Sequence, residues 1–170
     1  MDEGLYKTFC IITSESKHMA NTYTQLYVHL VTAVKYRQRL INPAWRRRLE
    51  AQIKSSVEER GHRYITCFAM PDHLHLVVKM HTRESLSALV GAWKGTSSSF
   101  LQNEGICPGF QWQKGYGAFS VGHRELHSVI DYVDAQPHRH RHELFADEFR
   151  QLLDYHEVAF DDAYVLDELV

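Results

Sequence analysis

The feature that most constrains the fold is a pair of strand-like runs in the middle of the chain, HRYITCFAM and HLHLVVKM, separated only by Pro71 and Asp72. Both runs contain many β-branched, aromatic and aliphatic residues, as strands commonly do. Proline presets its own φ angle, and an aspartate side chain can bond the backbone that follows it, so this dipeptide suits a tight turn. The sequence therefore predicts a β-hairpin, and with it an antiparallel sheet.

Patterns on both sides of the hairpin predict further strands and helices, from β-branched runs, apolar residues at helical spacing, and capping residues. In chain order we expect a strand at 22–34, a helix from Pro43 to Gly61, the hairpin at 62–80, a helix from Ser85 to about Leu101, a strand or extended loop at 110–122, and helices at 123–136 and 144–157. This is the ferredoxin-like β-α-β-β-α-β order, an α+β fold with helices on one face of an antiparallel sheet and further helices appended at the C-terminus.

Charge is unevenly distributed along the 170 residues. Residues 143–170 hold nine acidic residues and one base, whereas residues 1–142 hold 18 bases and 12 acids. A basic body with an acidic tail is typical of a nucleic-acid binder, although an ordinary solvated surface explains it equally well. We expect an N-terminal extension at 1–18 with Met19 as an alternative start, one main domain at 19–142, and an acidic helical tail at 143–170.

Membrane insertion and secretion are both disfavoured. Lys, Arg, His or Gln interrupts every hydrophobic run before it reaches the roughly 18 apolar residues that a membrane span needs. Acidic residues near the N-terminus stand where a signal peptide would carry positive charge. We therefore expect a cytoplasmic protein with no membrane partner.

His73 and His75 are the first candidates for chemistry. Alternate side chains of a strand share a face, so the two imidazoles point to one side of the sheet while Leu74 and Leu76 face the other. Such a pair can supply two ligands to one divalent metal ion. Two surface or hydrogen-bonded histidines are the alternative, since a chain with 12 histidines easily produces such a pair by chance.

Four segments together resemble one enzyme family. They are MPDHLHLVV around the histidine pair, YVHLVTAVKYRQRLI before it, FQWQKGYGAFSV after it, and SVIDYVDAQ in the helix expected at 123–136. Over roughly residues 20–142 the chain is similar to the single-tyrosine transposases of bacterial insertion sequences, which share a His-hydrophobic-His (HUH) motif and include the insertion-sequence 200-like and REP-associated tyrosine transposases. The resemblance implies that residues 19–142 form the catalytic domain of a DNA transposase.

The same resemblance assigns roles to individual residues. Tyr132 corresponds to the nucleophile, and Gln136 to a third ligand that joins His73 and His75 in binding a divalent metal, Mg²⁺ or Mn²⁺. Residues four apart lie on one helix face, so Tyr132 and Gln136 can both face the histidines. Pro137 disfavours the α conformation of the residue before it, so the helix is expected to end or kink at Gln136. A histidine just beyond is then an alternative or additional ligand: His138, His140 or His142.

The implied reaction cuts and rejoins single-stranded DNA through a 5′-phosphotyrosine intermediate. A phenol, with a pKa near about 10, is a better leaving group than an alkoxide, so this linkage stays reactive toward a DNA 3′-hydroxyl. The resemblance also implies a DNA hairpin near the cleavage site, and a homodimer in which the tyrosine helix can serve the partner's histidines.

Basic residues supply candidates for contact with DNA, because neutralising phosphates needs Lys and Arg, while exposed aromatic rings can stack on unpaired bases. The aromatic candidates are Tyr36, Trp112, Tyr116 and Phe119. The basic candidates are Lys35, Arg37, Arg39, Arg46, Arg47, Lys94, Lys114 and Arg139.

Two other functions are weighed against this interpretation. A non-cutting, hairpin-DNA-binding protein of transposase descent is the first, and the presence of every expected site residue argues against it. A metal-dependent hydrolase of small molecules is the second. It would need a catalytic carboxylate beside the histidines, and Asp72, the only adjacent one, is more simply explained by its place in the turn.

Overall fold

The computed structural model describes residues 23–140 and 144–161. Its elements, in chain order, are β1 (Tyr27–Ala33), α1 (Pro43–Glu59), β2 (Arg63–Ala69), β3 (His73–Lys79), α2 (Leu86–Asn103), β4 (Gly117–Val121), α3 (Leu126–Asp134), α4 (Gln136–Arg139) and α5 (Phe145–Tyr155). The extension expected at 1–18 lies outside the described residues. Within the described ranges, no helix is long and apolar enough to cross a membrane.

The strands form one antiparallel sheet in the order β2-β3-β1-β4. Strand β3 pairs with β2 through the predicted hairpin and with β1 on its other side, so His75 lies opposite Val31 and Phe68. On the far side of β1, Phe119 of β4 lies opposite His29. This strand order, with one helix between β1 and β2 and another between β3 and β4, confirms the predicted ferredoxin-like fold.

Helices α1 and α2 cover one face of the sheet, as the sequence predicts. Each begins at a side chain that caps it: Asn42 accepts a hydrogen bond from the Ala44 amide at 2.9 Å, and Ser85 accepts one from the Ala88 amide at 3.2 Å. Together with this face of the sheet, the two helices enclose an apolar core. Its members include Leu30, Leu49, Ile53, Leu74, Leu76, Leu89 and Trp93, each no more than 1% exposed.

The C-terminal helices cover the opposite face. Helix α3 packs against β2 and β3, and α5 packs its apolar side on β1 and β4. Gly117 lets α5 approach closely, because a Cβ atom at this position would lie 2.7 Å from the ring of Phe149. The apolar contacts of α5 are made by Phe145, Phe149 and Leu153 against Val31, Ala33 and Phe119. The face that carries the predicted histidine pair is therefore enclosed as well.

Candidate metal centre

His73 and His75 lie side by side on β3, beneath the C-terminal helices, and are 1% and 0% exposed. The Nδ1 atom of His73 donates a hydrogen bond to Asp72 at 2.8 Å, and the Nδ1 atom of His75 lies 3.0 Å from Nε2 of His29. These contacts fix the orientation of both rings. Both remaining ring nitrogens are buried, and neither has a hydrogen-bond partner within the described part of the chain.

Burial lowers the pKa of His73 to about 4, despite the hydrogen bond to Asp72, which acts in the opposite direction. The imidazole is therefore neutral at neutral pH. A neutral imidazole that donates from Nδ1 keeps a lone pair on Nε2, which is the form that binds a metal. His73 is thus held in a state competent for coordination.

Tyr132 and Gln136 reach this centre from the end of α3 and the start of α4. Proline lacks the amide N–H that would continue the helix, and α3 ends at Asp134 before α4 begins at Gln136. The expected interruption at Pro137 is therefore present. It does not remove Gln136 from the site, because Gln136 is 0% exposed and its amide oxygen is buried without a hydrogen-bond partner within the described residues.

Glu148, on α5, lies at the point where these groups meet, and sequence reasoning missed it. Its side chain is 1% exposed. Its Oε1 atom accepts hydrogen bonds from the Tyr132 hydroxyl and, at 2.6 Å, from the Gln136 amide nitrogen. Its Oε2 atom lies 3.5 Å from Nε2 of His75 and 3.8 Å from Nε2 of His73. The expected nucleophile and the three expected ligands therefore surround one carboxylate.

Two opposing effects set the ionisation of Glu148. Burial by itself raises the pKa of a carboxyl group, but hydrogen bonds from His140 and Tyr132, together with the adjacent His75, outweigh it and hold the pKa of Glu148 well below its ordinary value. Burial and the adjacent Glu148 raise the pKa of the Tyr132 hydroxyl. The glutamate is thus ionised beside a protonated phenol.

A periodicity in the sequence does mark Glu148. It lies three residues after Phe145 and four before Leu152, so all three share the side of α5 that faces the sheet. The prediction of an acidic tail at 143–170 took account of charge and did not consider this apolar spacing. His29 was missed for a comparable reason, because its contact with His75 depends on the pairing of β1 with β3, strands that lie 46 residues apart at this contact.

Among the three alternative histidines, His140 reaches the site. Its Nε2 atom lies 2.8 Å from Oε2 of Glu148. His138 is exposed, and His142 lies outside the described residues. One ligand atom from each of His73, His75, His140 and Glu148 can be chosen so that all four lie within 4.8 Å of one another.

These residues fit a divalent metal ion. Buried ring nitrogens and an amide oxygen without hydrogen-bond partners are costly in a protein interior unless something else binds them. Imidazole, carboxylate and amide groups are ordinary metal ligands. The donor set can therefore hold a divalent cation.

A cleft beside the centre exposes one side of Tyr132. It lies between β4, α3 and α5, and its lining includes Ser120, Glu125 and Arg139. The Arg139 guanidinium lies 4.7 Å from the centre of the Tyr132 ring. The tyrosine thus stands between the donor atoms and an opening to the surface.

The basic candidates for DNA contact occupy different environments. Lys35 and Lys114 line one groove. Arg46 packs over Phe68 with its guanidinium carbon 4.3 Å from the ring centre, and Lys94 points inward, donating to the carbonyl oxygens of Gln113 and Gly115 at 2.8 and 2.7 Å. Burial lowers the pKa of Lys94 to about 8. Exposed or partly exposed positions hold Arg37, Arg39 and Arg47.

The aromatic candidates for base stacking divide in the same way. Trp112 and Phe119 are 8% and 2% exposed, so they are core residues rather than platforms for bases. Tyr36 and Tyr116 are 46% and 38% exposed. Both rings are therefore accessible for stacking on an unpaired base.

Fold and site together define an α+β protein of ferredoxin-like topology with a buried histidine-carboxylate centre next to a helix-borne tyrosine. The family model described as "Transposase IS200 like" matches residues 22–136. The chain belongs to this family, whose members are transposases, enzymes that process DNA during transposition.

Relatives in the same family cover most of the chain. The ISDra2 transposase TnpA of Deinococcus radiodurans is 25% identical over 135 residues, which span 76% of this chain and 96% of the relative. The transposase for insertion sequence element IS200 of Salmonella typhimurium is 26% identical over 128 residues, 72% of this chain and 84% of the relative.

Solved structures share the fold. A crystal structure of a candidate transposase from Deinococcus radiodurans R1 superposes with a TM-score of 0.57 at 21% identity, covering 71% of this chain and 97% of the other. The structure of a REP-associated tyrosine transposase bound to a REP hairpin gives a TM-score of 0.53 at 13% identity, covering 72% of this chain and 73% of the other. At these sequence identities, the two superpositions show a shared fold.

Proposed function

We propose that the protein is a transposase that cuts and rejoins single-stranded DNA, with Tyr132 as nucleophile and a divalent metal, Mg²⁺ or Mn²⁺, bound by His73, His75 and Gln136. One observation supports this proposal above the others. The Tyr132 hydroxyl hydrogen-bonds the same buried carboxylate that neighbours the unpartnered ring nitrogens of His73 and His75. A nucleophile and a metal centre are therefore within reach of one phosphate group.

In the proposed cleavage step, the Tyr132 oxygen attacks the scissile phosphorus in line with the departing 3′-oxygen. The bond from phosphorus to the 3′-oxygen breaks, and the DNA 5′-phosphate becomes joined to tyrosine. The phenol loses one proton and the departing 3′-oxygen gains one, so protons balance. In the rejoining step, a DNA 3′-hydroxyl attacks the same phosphorus and releases Tyr132. Each step exchanges one phosphodiester for another, so no ATP is needed.

The side chains around Tyr132 support this role. Glu148 orients the hydroxyl through its Oε1 atom, and Arg139 stacks over the ring beside the cleft, where its charge can attract a phosphate. A bound divalent ion would polarise the scissile phosphate oxygen as a Lewis acid. His73, His75 and Gln136 would hold that ion through the ring nitrogens and the amide oxygen that lack other partners.

We propose single-stranded DNA with a hairpin near the cleavage site as the substrate. The support is the family membership of the chain and the related fold of a transposase that was solved with a REP hairpin. A cytoplasmic location is part of the proposal, because the proposed substrate is DNA. A homodimer is part of the proposal, on the basis of the family alone. The proposed phosphate contacts are Lys35, Arg37, Arg39, Arg46, Arg47, Lys114 and Arg139, with Lys94 holding the loop that carries Lys114.

A single substitution tests the nucleophile. The protein is incubated with single-stranded oligonucleotides from the flanks of its own gene and Mn²⁺, and covalent protein–DNA bands are resolved on denaturing gels. Tyr132→Phe should abolish the adduct and leave oligonucleotide binding largely intact, because it removes only the attacking oxygen. Tyr23→Phe, at a position 93% exposed, is the matched control and should retain the adduct.

The same assay distinguishes the second candidate, a non-cutting hairpin-DNA-binding protein. That candidate is favoured by the ionised Glu148, which engages the Tyr132 hydroxyl and raises the pKa of the phenol. Hairpin binding without any adduct in Mg²⁺ or Mn²⁺ would establish it. An adduct that persists in Tyr132→Phe would end the assignment of the nucleophile.

A further inference from the structure

Two side chains beyond the proposed ligand set point into the metal centre. His140 comes from the C-terminal end of α4 and Glu148 from the first turn of α5, and their contacting atoms are 2.8 Å apart. The side chain of His140 is 9% exposed and that of Glu148 is 1% exposed. The spacing of the proposed ligands does not predict Glu148, whereas His140 is one of the three histidines that follow Gln136 in the sequence.

The distances around Glu148 suit the coordination of a cation. Its Oε2 atom lies 3.5 and 3.8 Å from the two strand histidine nitrogens, which is too far for good hydrogen bonds. Atoms that each bind one ion at about 2.0–2.2 Å lie about 3–4 Å apart, which is the spacing observed. A shared ion would also satisfy ring nitrogens that are buried without a hydrogen-bond partner within the described residues.

We infer that Glu148 and His140 bind the same divalent ion as His73 and His75 in the protein without DNA. The inference rests on the proposed metal centre for its first two ligands. It adds Glu148, which sequence spacing does not connect to them, and selects His140 from the three candidate histidines. The site then has three imidazoles and one carboxylate, with the Gln136 amide oxygen as a fifth donor.

This donor set has consequences for the choice of metal. Mg²⁺ prefers an octahedral shell of oxygens and keeps several waters, whereas imidazole nitrogens favour first-row transition ions. Affinity within that row rises from Mn²⁺ to a maximum at Cu²⁺ and falls again at Zn²⁺, which still binds such ligands more tightly than Mn²⁺ does. The metal-free protein should therefore bind Zn²⁺ most tightly, Mn²⁺ less tightly, and Mg²⁺ most weakly.

Calorimetric titration of the metal-free, full-length protein with Zn²⁺, Mn²⁺ and Mg²⁺ tests the inference without any DNA. Loss of an outer-shell partner typically weakens metal binding about 10–100-fold, and loss of a direct ligand should cost at least as much. Glu148→Gln and His140→Asn should each weaken Mn²⁺ binding at least about tenfold. Asp147→Asn, one position earlier on α5 and on its exposed side, should bind Mn²⁺ as the unmodified protein does.

A second readout guards against misfolding. Circular dichroism and thermal melting of the metal-free variants show whether each one folds. The visible spectrum of bound Co²⁺ reports the number and symmetry of ligands, so it should change in His140→Asn. If Glu148→Gln does not fold, the affinity and the Co²⁺ spectrum of His140→Asn decide the matter.

Binding of Mn²⁺ to the variants tests the two added ligands separately from the proposed metal centre. If folded Glu148→Gln and His140→Asn bind Mn²⁺ as tightly as the unmodified protein, while His75→Ala loses binding, the extra ligands are overturned and the centre stands. If His75→Ala also binds Mn²⁺ normally, the metal centre itself is wrong, and this inference is wrong with it.

Discussion

The two faces of the sheet differ in what they bury. Along β3, Leu74 and Leu76 enter an apolar core beneath α1 and α2, while His73 and His75, which alternate with them in sequence, enter a polar centre beneath α3 and α5. Apolar burial stabilises the fold directly, whereas buried polar groups cost free energy unless they are paired. The apolar face therefore adds to the free energy of unfolding, whereas the buried polar groups of the other face reduce it unless they are paired.

The helices on the two faces also differ in their caps. Helices α1 and α2 both begin at a capping side chain, Asn42 and Ser85. The N-caps of α3 and α5 are Glu125 and Leu144, and neither makes a side-chain cap hydrogen bond. The helices over the candidate metal centre thus depend more on tertiary contacts.

Leu74→Ala should have the largest effect on this comparison. It removes a fully buried side chain from the apolar face, and a change of this kind costs about 2–5 kcal/mol in the free energy of unfolding. Urea denaturation of the metal-free protein measures it. Because the side chains of His73 and His75 point away from that core, folded Leu74→Ala should keep its affinity for Mn²⁺. A loss of metal binding in the folded variant would mean that the two faces are not independent.

Metal binding should stabilise the protein through the polar face alone. Mn²⁺ at one hundred times its dissociation constant should raise the free energy of unfolding by about 2.7 kcal/mol. The increment should vanish in His75→Ala and persist in Leu74→Ala. Thermal denaturation with and without Mn²⁺, in the presence and absence of a chelator, measures it. An equal increment in His75→Ala would place the bound metal elsewhere.

Changing the helix caps should have the smallest effect on the free energy of unfolding. The effect should be a loss for α2 and a gain for α5. Ser85→Ala removes the cap of α2 and should cost about 1 kcal/mol. Leu144→Ser adds a capping hydroxyl at the start of α5, where Leu144 is 72% exposed in an extended conformation, and should gain about 1 kcal/mol or less. Chemical denaturation of both variants compares them. If Leu144→Ser does not raise the free energy of unfolding, then the packing of α5 on the sheet, rather than the capping of its first turn, determines the stability of this helix.

Local patterns in the sequence determined the parts of this protein that depend on near neighbours. The Pro71-Asp72 turn predicted the hairpin, strand alternation placed both imidazoles on one face, and the four-residue interval between Tyr132 and Gln136 placed them on a common side. Each of these is a matter of backbone geometry over a few residues. The family resemblance then supplied the expected roles of Tyr132 and Gln136.

Tertiary structure alone decided what surrounds the histidines. Glu148 lies 73 positions beyond His75 in the chain, and His29 lies 46 before it, so only strand pairing and the docking of α5 bring them together. Helix α3 ends before Pro137, yet Gln136, the first residue of α4, stays buried and donates a hydrogen bond to Glu148. Burial and long-range contact are properties of the assembled fold, which is why an acidic residue of an apparent tail became the centre of the site.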